Sequence, residues 1–218
     1  ERFSKKVPTV LFDSLLPDIG LSFGGSDSAQ FARLIVDYLC RTGEPPCFFE
    51  MKFPTNPNAN KRRQGYIAAM EALGHTPQVV SVDGEGWSFE DAKKVLPELV
   101  KLNVQMIEQP IHRDEHEAQK ELKELSTIPL FADESCQTEQ DVAKCAQSFH
   151  GINIKLTKCG GLTPALRMIK QAKEYGLKVM VGCMTESTVG ISAIAQLLPQ
   201  LDYVDMDGAL LLKKDIAT

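Results

Sequence analysis

Three carboxylates recur at a regular interval in this chain. Asp83 closes Val-Val-Ser-Val-Asp, Glu108 closes Val-Gln-Met-Ile-Glu and Asp133 closes Pro-Leu-Phe-Ala-Asp, about 25 residues apart each time. If each ends a strand of one parallel sheet, the three meet at its carboxyl edge, where like charges in a small volume drive pKa values up. A hard divalent cation relieves the repulsion, and all-oxygen ligation suits Mg²⁺ or Mn²⁺ rather than Zn²⁺. Three solvated strand-end acids are the competing reading, but they leave the regular recurrence without a cause.

Two lysines complement the acids: Lys52 in Phe-Phe-Glu-Met-Lys-Phe and Lys155 in Ile-Asn-Ile-Lys-Leu. Strand alternation puts Glu50 on the side of Lys52, and Asn153 on the side of Lys155. An inward lysine is costly unless solvated or paired, which favours function over packing. A cation with an amine on each side is what proton abstraction alpha to a carboxylate requires: the cation stabilises the enediolate and a lysine takes the proton.

These residues need a scaffold that carries strand ends to one place. Short apolar strands are predicted at Ile19–Phe23, Phe48–Phe53, Val79–Asp83, Val104–Glu108, Pro129–Asp133, Ile152–Leu156, Lys178–Cys183 and Tyr203–Asp207. Amphipathic helices lie between them, with Phe31, Leu34, Ile35 and Tyr38 at helical spacing, as are Phe89, Ala92, Val95 and Leu99, and Leu162, Leu166, Ile169 and Ala172. Ser88 caps one helix and Gly176 closes another. Eight strand–helix units predict an α/β fold of TIM type, a (β/α)8 or modified (β/α)7β barrel, which puts Lys52 and Lys155 on opposite strands. An open doubly wound sheet is the alternative, but no GxGxxG follows the first strand. The Gly24–Ser28 stretch reads as a turn and helix cap, and Pro54–Asn60 as a loop. Residues 1–18 form a lead-in and 19–218 the barrel domain.

The composition is that of a soluble globular protein: 218 residues, 24 Lys+Arg against 29 Asp+Glu, net charge −5, 43% hydrophobic and 24% charged. No basic face marks a nucleic-acid partner, and no apolar run has the roughly 20 residues of a membrane span. The six cysteines, without CxxC pairs, read as reduced thiols in a cytoplasmic protein. Residue 1 is Glu rather than Met, a hint that something upstream has been removed.

Ile-Glu-Gln-Pro (107–110), Ala-Asp-Glu-Ser (132–135), Ile-Asn-Ile-Lys-Leu-Thr-Lys-Cys-Gly-Gly (152–161), Val-Gly-Cys-Met-Thr-Glu-Ser (181–187) and Asp-Met-Asp-Gly (205–208) resemble, in order, the motifs of the enolase superfamily. Within it the chain is most similar to dipeptide epimerases of the muconate-lactonising-enzyme subgroup, of the L-Ala-D/L-Glu type. The resemblance covers about residues 45–212. It implies that Asp83, Glu108 and Asp133 bind Mg²⁺, that Lys52 and Lys155 form the acid/base pair, and that Asp205 and Asp207 hold the substrate's α-ammonium group. Cys183, Met184 and Glu186, near the mouth, are candidate substrate contacts, with packing the competing role for Met184 and a structural one for Glu186.

The chain departs from the family pattern in three places. Glu50 stands where the family has the first lysine of Lys-x-Lys, and an ionised Glu50 raises the pKa of Lys52. Asp83-Gly84-Glu85-Gly86-Trp87 is one residue short of the family's strand-three motif. Nothing in the 218 residues resembles the amino-terminal α+β capping domain. His112 and His116 read as solvated loop and helix start rather than a metal pair. Cys159-Gly160-Gly161 is either a structural turn or a contact for a substrate carboxylate.

The expected activity is Mg²⁺-dependent epimerisation of a dipeptide at the α-carbon of its carboxyl-terminal residue, by two-lysine proton transfer. The resemblance implies a Glu-bearing dipeptide as substrate. An N-acylamino-acid racemase or o-succinylbenzoate synthase-like enzyme on the same site is one alternative, and a non-catalytic barrel fragment or pseudoenzyme the other. A barrel that exposes its mouth and ends is expected to associate as a homo-oligomer.

Overall fold

The computed structural model describes residues 10–12, 22–24, 27–52, 57–84 and 88–216. They fall into two compact units, 1–85 and 86–218. The predicted strand over Ile19–Phe23 and the Gly84–Trp87 departure lie partly outside the described residues.

In the first unit β1 (Val10–Phe12) pairs in parallel with β2 (Ser22–Gly24), so a strand stands within the segment expected to be a lead-in. Asp27 caps α1 (Ser28–Thr42), its carboxylate accepting the N–H groups of Ala29 at 3.1 Å and Gln30 at 3.0 Å, in line with the helix-cap reading; residues 25–26, where the turn is expected, lie outside the described residues. β3 (Phe48–Lys52) runs parallel to β4 (Val79–Asp83), with Glu50 opposite Ser81 and Lys52 opposite Asp83. The connecting α2 (Pro57–Ala72) begins inside the stretch expected to be a loop. Pro57 opens it, since a proline at the first helical position gives up an N–H that has no intrahelical partner there.

α1 packs closely on α2. A Cβ at Gly65 would lie 2.7 Å from the Ala29 carbonyl oxygen, so glycine permits the approach. The buried cluster is Ala32, Val36, Tyr66, Ala69 and Met70. Phe31, Leu34, Ile35 and Tyr38 are exposed, so α1 buries its smaller apolar residues and turns the periodic stripe outward.

The second unit holds a five-stranded parallel sheet in sequential order: β5 (Ile107–Glu108), β6 (Leu130–Ala132), β7 (Gly151–Lys155), β8 (Lys178–Gly182) and β9 (Tyr203–Val204). Its helices are α3 (Phe89–Lys101), α4 (His116–Leu125), α5 (Val142–Ser148), the single turn α6 (Leu156–Cys159), α7 (Leu162–Glu174) and α8 (Thr188–Ala195). One alternating set of strand residues, Leu130, Ala132, Ile152, Ile154, Val179 and Val181, is buried with helix residues such as Leu122, Val142, Met168, Ile169 and Ile194. Each buried Leu, Ile, Val or Met side chain of this set contributes about 1.5–3 kcal/mol by leaving water. The other set carries Phe131, Asn153, Lys155 and Met180. Helices on one side and no reversal of strand order give a barrel progression rather than a doubly wound sheet.

Helix ends follow the expected signals. Ser88 Oγ accepts the Asp91 N–H at 3.2 Å. Gly176, at φ 70°, closes α7: its N–H bonds to Lys173 O at 3.0 Å while Leu177 N–H reaches Ala172 O at 2.9 Å. On α7 the buried face is Ala165, Met168, Ile169 and Ala172, whereas Leu162 and Leu166 are exposed.

Several strands are shorter than predicted, because neighbouring structure takes their N–H groups. Val104 N–H is committed to Leu99 O at the end of α3, Pro129 has no N–H, and Asp133 N–H bonds to the Gln109 side chain. Leu156 already belongs to α6. No helix among the described residues is long and apolar enough to cross a membrane.

Candidate functional site

Adjacent parallel strands present their carboxyl ends on one side, and β5, β6 and β7 use this to gather charge. Glu108 ends β5, Asp133 follows β6, and Lys155 ends β7. Lys155 Nζ lies 2.7 Å from Asp133 Oδ2 and 3.8 Å from Glu108 Oε1. Lys158, one turn on in α6, puts its Nζ 2.8 Å from Asp133 Oδ1. Asn153 Nδ2 donates to Glu108 Oε1 at 2.6 Å. Asp133 is 6% exposed and Asn153 2%, so these are buried polar groups that need partners. Asn153 Oδ1 is buried with no hydrogen-bond partner among the described residues, an acceptor left over beside the carboxylates.

The electrostatics follow from burial and the two amines. Burial pushes the Glu108 carboxyl above its ordinary value; the Asn153 hydrogen bond works against the rise and the Asp133 charge adds to it. Burial also pushes the Asp133 carboxyl up, but the hydrogen bonds and charges of Lys155 and Lys158 outweigh it and leave it below the ordinary carboxylate value. For Lys155, burial disfavours the ammonium, yet Asp133 and then Glu108 and Glu134 hold it above the ordinary lysine value.

Gln109 ties the two acidic loops together. Its Oε1 accepts the backbone N–H groups of Asp133 at 3.0 Å and Ser135 at 3.2 Å, and its Nε2 donates to Ile111 O and Ser135 Oγ, both at 3.0 Å. Its backbone sits at φ 39°, a left-handed conformation that costs a non-glycine residue about 1–2 kcal/mol. A cavity of about 620 Å³ opens beside these loops, lined by Glu108, Gln109, Ile111, Asp133 and Glu134 among others.

Asp205 and Asp207 lie just past β9 rather than within the strand predicted through Asp207, so strand alternation does not orient them. The Asp205 N–H still bonds to Val181 O at 3.0 Å, and the ladder then gives way to a turn in which Asp207 N–H reaches Asp205 Oδ1 at 3.4 Å. Their carboxylate oxygens and Cys183 Sγ all lie within 4.8 Å of one another. Burial raises the Asp205 carboxyl, the Asp207 N–H works against this, the Asp207 charge adds to it, and the Lys155 charge lowers it. The cluster therefore lies within electrostatic reach of Lys155. Cys183 Sγ is 3.7 Å from Asp207 Oδ1 and accepts the Gly208 N–H at 3.2 Å. A Cβ at Gly208 would collide with the Met184 carbonyl, so only glycine permits this turn.

Lys52 and Asp83 belong to the first unit, facing each other in register at the ends of β3 and β4. Glu50 there accepts the Ser81 hydroxyl at 2.7 Å and lies 3.3 Å from Arg63 Nε. Its charge is compensated within the unit; the Lys52 side chain lies outside the described residues.

The remaining candidates resolve into structural roles or rim positions. Glu186 accepts the Met184 N–H at 2.9 Å, while the Met184 side chain is exposed. Both Gly160 and Gly161 spend their N–H groups on Leu156 O, at 3.0 and 2.8 Å, so Cys159-Gly160-Gly161 is a structural turn. His112 and His116 are exposed, and His116 contacts Lys144 at 2.8 Å. All six cysteines are free.

Sequence patterns do not single out Lys158, Gln109 or the Asn153–Glu108 bond. Lys158 carries a signal only in hindsight, three residues beyond Lys155 across a strand-to-helix junction. Gln109 follows a strand-end acid, a position that propensity leaves unmarked.

Residues 40–211 match the family model for enolase C-terminal domain-like proteins. The chain belongs to the enolase C-terminal domain-like family. It is 61% identical over 149 residues to an L-Ala-D/L-amino acid epimerase of Flavobacterium johnsoniae, covering 68% of this chain and 44% of that protein. It is 39% identical over 157 residues to an N-acetyl-D-glutamate racemase of a Pseudoalteromonas species, covering 70% of this chain and 49% of that protein. A dipeptide epimerase structure from Enterococcus faecalis, complexed with Mg and L-Leu-L-Tyr, superposes with a TM-score of 0.65 at 25% identity, over 88% of this chain and 55% of that one. The chain spans less than half the length of these two curated relatives. Like other members of the enolase C-terminal domain-like family, it has the parallel α/β fold of TIM-barrel type.

The residues fit the metal expected for this family. Glu108 and Asp133 supply hard oxygen donors side by side; burial is the main cause of the raised Glu108 pKa, and the Asp133 charge adds a like-charge repulsion that a divalent cation would relieve. The donor set suits Mg²⁺ or Mn²⁺; the thiol of Cys183 lies with Asp205 and Asp207 instead.

Proposed function

We propose that this chain is the catalytic barrel of a Mg²⁺-dependent dipeptide epimerase, with residues 19–218 acting as one domain. The observation that carries the reading is the amine of Lys155 set against Asp133 and Glu108 at the carboxyl ends of neighbouring strands, in a chain of this family. Asp83, Glu108 and Asp133 would hold the metal, which when bound lowers the cost of negative charge on the substrate carboxylate. Lys155 Nζ and Lys52 Nζ exchange the α-proton of the carboxyl-terminal residue from opposite faces: one accepts it, the other returns a proton to the other side, and the configuration inverts. Asp205 and Asp207 receive the α-ammonium group of the dipeptide, since a paired carboxylate cluster favours a cation. Cys183, Met184 and Glu186 would contact the substrate beside that pair. A cytoplasmic location accords with six free thiols, and self-association through exposed apolar surface such as the outer stripe of α1 is part of the proposal.

The N-acetyl-D-glutamate racemase relative favours one second reading, in which the same lysines act on an N-acylated amino acid. Incubating the chain with Mg²⁺ and L-Ala-L-amino acid dipeptides, or with N-acylamino acids, separates the two by chiral chromatography. Formation of L,D-dipeptide supports the epimerase. Racemisation of N-acylamino acids alone supports the second reading, and turnover of neither contradicts both.

A further inference from the structure

The Gln109 side chain uses every hydrogen-bonding position it has. Its oxygen takes two backbone N–H groups from the loop after β6, those of Asp133 and Ser135, and its nitrogen gives both hydrogens, to Ile111 O and Ser135 Oγ. Its own backbone is bound as well, Gln109 N–H reaching Phe131 O at 2.8 Å. It achieves this at φ 39°, where glycine would sit without strain. A residue held in an unfavourable conformation beside charged groups needs a reason in its side chain. That side chain joins the two loops bearing the carboxylates: Glu108 precedes it in sequence, and Asp133 hangs from its amide oxygen. Asn153 fixes Glu108 from the other side at 2.6 Å.

We infer that Gln109 is a positioning residue that locks the Asp133 loop to the Glu108 loop and so sets the spacing of the two carboxylates for a divalent cation. This rests on the metal reading of the site given above. Carboxylates held at fixed spacing need no reordering when a cation arrives, whereas untethered loops must be ordered by it and bind more weakly.

The test uses the 218-residue chain with Mn²⁺ as the probe, its affinity read by electron paramagnetic resonance and its folding by thermal unfolding. Q109G and Q109N both tolerate a left-handed backbone, and neither side chain reaches the Asp133 and Ser135 N–H groups. Each is expected to bind Mn²⁺ at least tenfold more weakly than wild type, while Q109G unfolds within a few degrees of wild type because strain is relieved as bonds are lost. A merely structural Gln109 would lower the unfolding temperature and leave the affinity of the folded protein alone. Wild-type affinity in a folded Q109G or Q109N overturns the inference by itself. A wild-type chain that binds no Mn²⁺ overturns it together with the metal reading, and so distinguishes the two failures.

Discussion

Lys155 and Lys158 hold Asp133 by its two oxygens, Lys155 Nζ on Oδ2 at 2.7 Å and Lys158 Nζ on Oδ1 at 2.8 Å. Two ammonium groups on one nearly buried carboxylate divide the work. If Lys155 is the reacting amine, Lys158 would still neutralise Asp133 when Lys155 turns toward a substrate, and no buried charge would be stranded.

This pairing predicts the acid limb of stability. The folded Asp133 carboxyl lies below its unfolded value, so its contribution is present above the unfolded pKa of about 3.9 and is lost as pH falls through the folded value. K158M removes one of the two amines and lifts the folded value. Urea unfolding between pH 3 and 6 should show K158M losing less stability than wild type on acidification, because its folded and unfolded values lie closer together, and starting about 1.5–3 kcal/mol less stable at neutral pH for a lost charged hydrogen bond.

K155A removes the proposed base and leaves Asp133 its bond to Lys158. Racemisation should fall by a factor of about 10²–10⁴, the usual weight of a general base, while Mn²⁺ binding persists. Loss of both together would mark Lys155 as structural.

His150 gives a pH response independent of the site. Its Nδ1 accepts the Leu130 N–H at 3.1 Å, and burial, then the charges of Lys123 and Lys178, lower its pKa. A lowered folded pKa means the unfolded chain binds the proton first. Stability is therefore full above the unfolded value of about 6.5 and falls as pH drops from there through the folded value. Denaturation midpoints at pH 7.5 and 5.5 should differ more for wild type than for H150Q; equal differences would contradict the role.

The glycine opening β7 is held by packing. A Cβ on Gly151 would run into the Phe131 ring, which stands edge-on to Tyr203 with centroids 5.4 Å apart. G151A should cost about 1–3 kcal/mol in a denaturant titration, as overpacking does. A change within error would show that Phe131 can swing aside.

Much of this was legible in the sequence because strand ends are marked twice, by an apolar run and by the charge that closes it. Glu108, Asp133 and Lys155 come together as those marks imply. Lys158 was hidden because the chain turns helical straight after Lys155, and periodicity says nothing across that junction. Gln109 was hidden because its importance lies in a left-handed backbone and a long-range amide. The outward stripe of α1 shows the limit of periodicity: spacing identifies the helix, but the close approach at Gly65 decides that Ala32 and Val36, not Leu34 and Tyr38, face inward.

Replacing Asp205 and Asp207 with Asn tests substrate class. If they hold an α-ammonium group, the double variant should raise KM for a dipeptide at least tenfold and leave N-acylamino acids unaffected. Equal KM values for the dipeptide would remove that role.

The most direct measurement follows deuterium at the α-carbon by proton NMR, with Mg²⁺, D₂O and each epimer of an L-Ala dipeptide supplied separately. Two lysines on opposite faces predict that wild type exchanges the α-proton of both epimers, and that K155A still exchanges one epimer, stops exchanging the other, and interconverts neither. No exchange by wild type with any dipeptide, or equal exchange of both epimers by K155A, would contradict the two-lysine reaction.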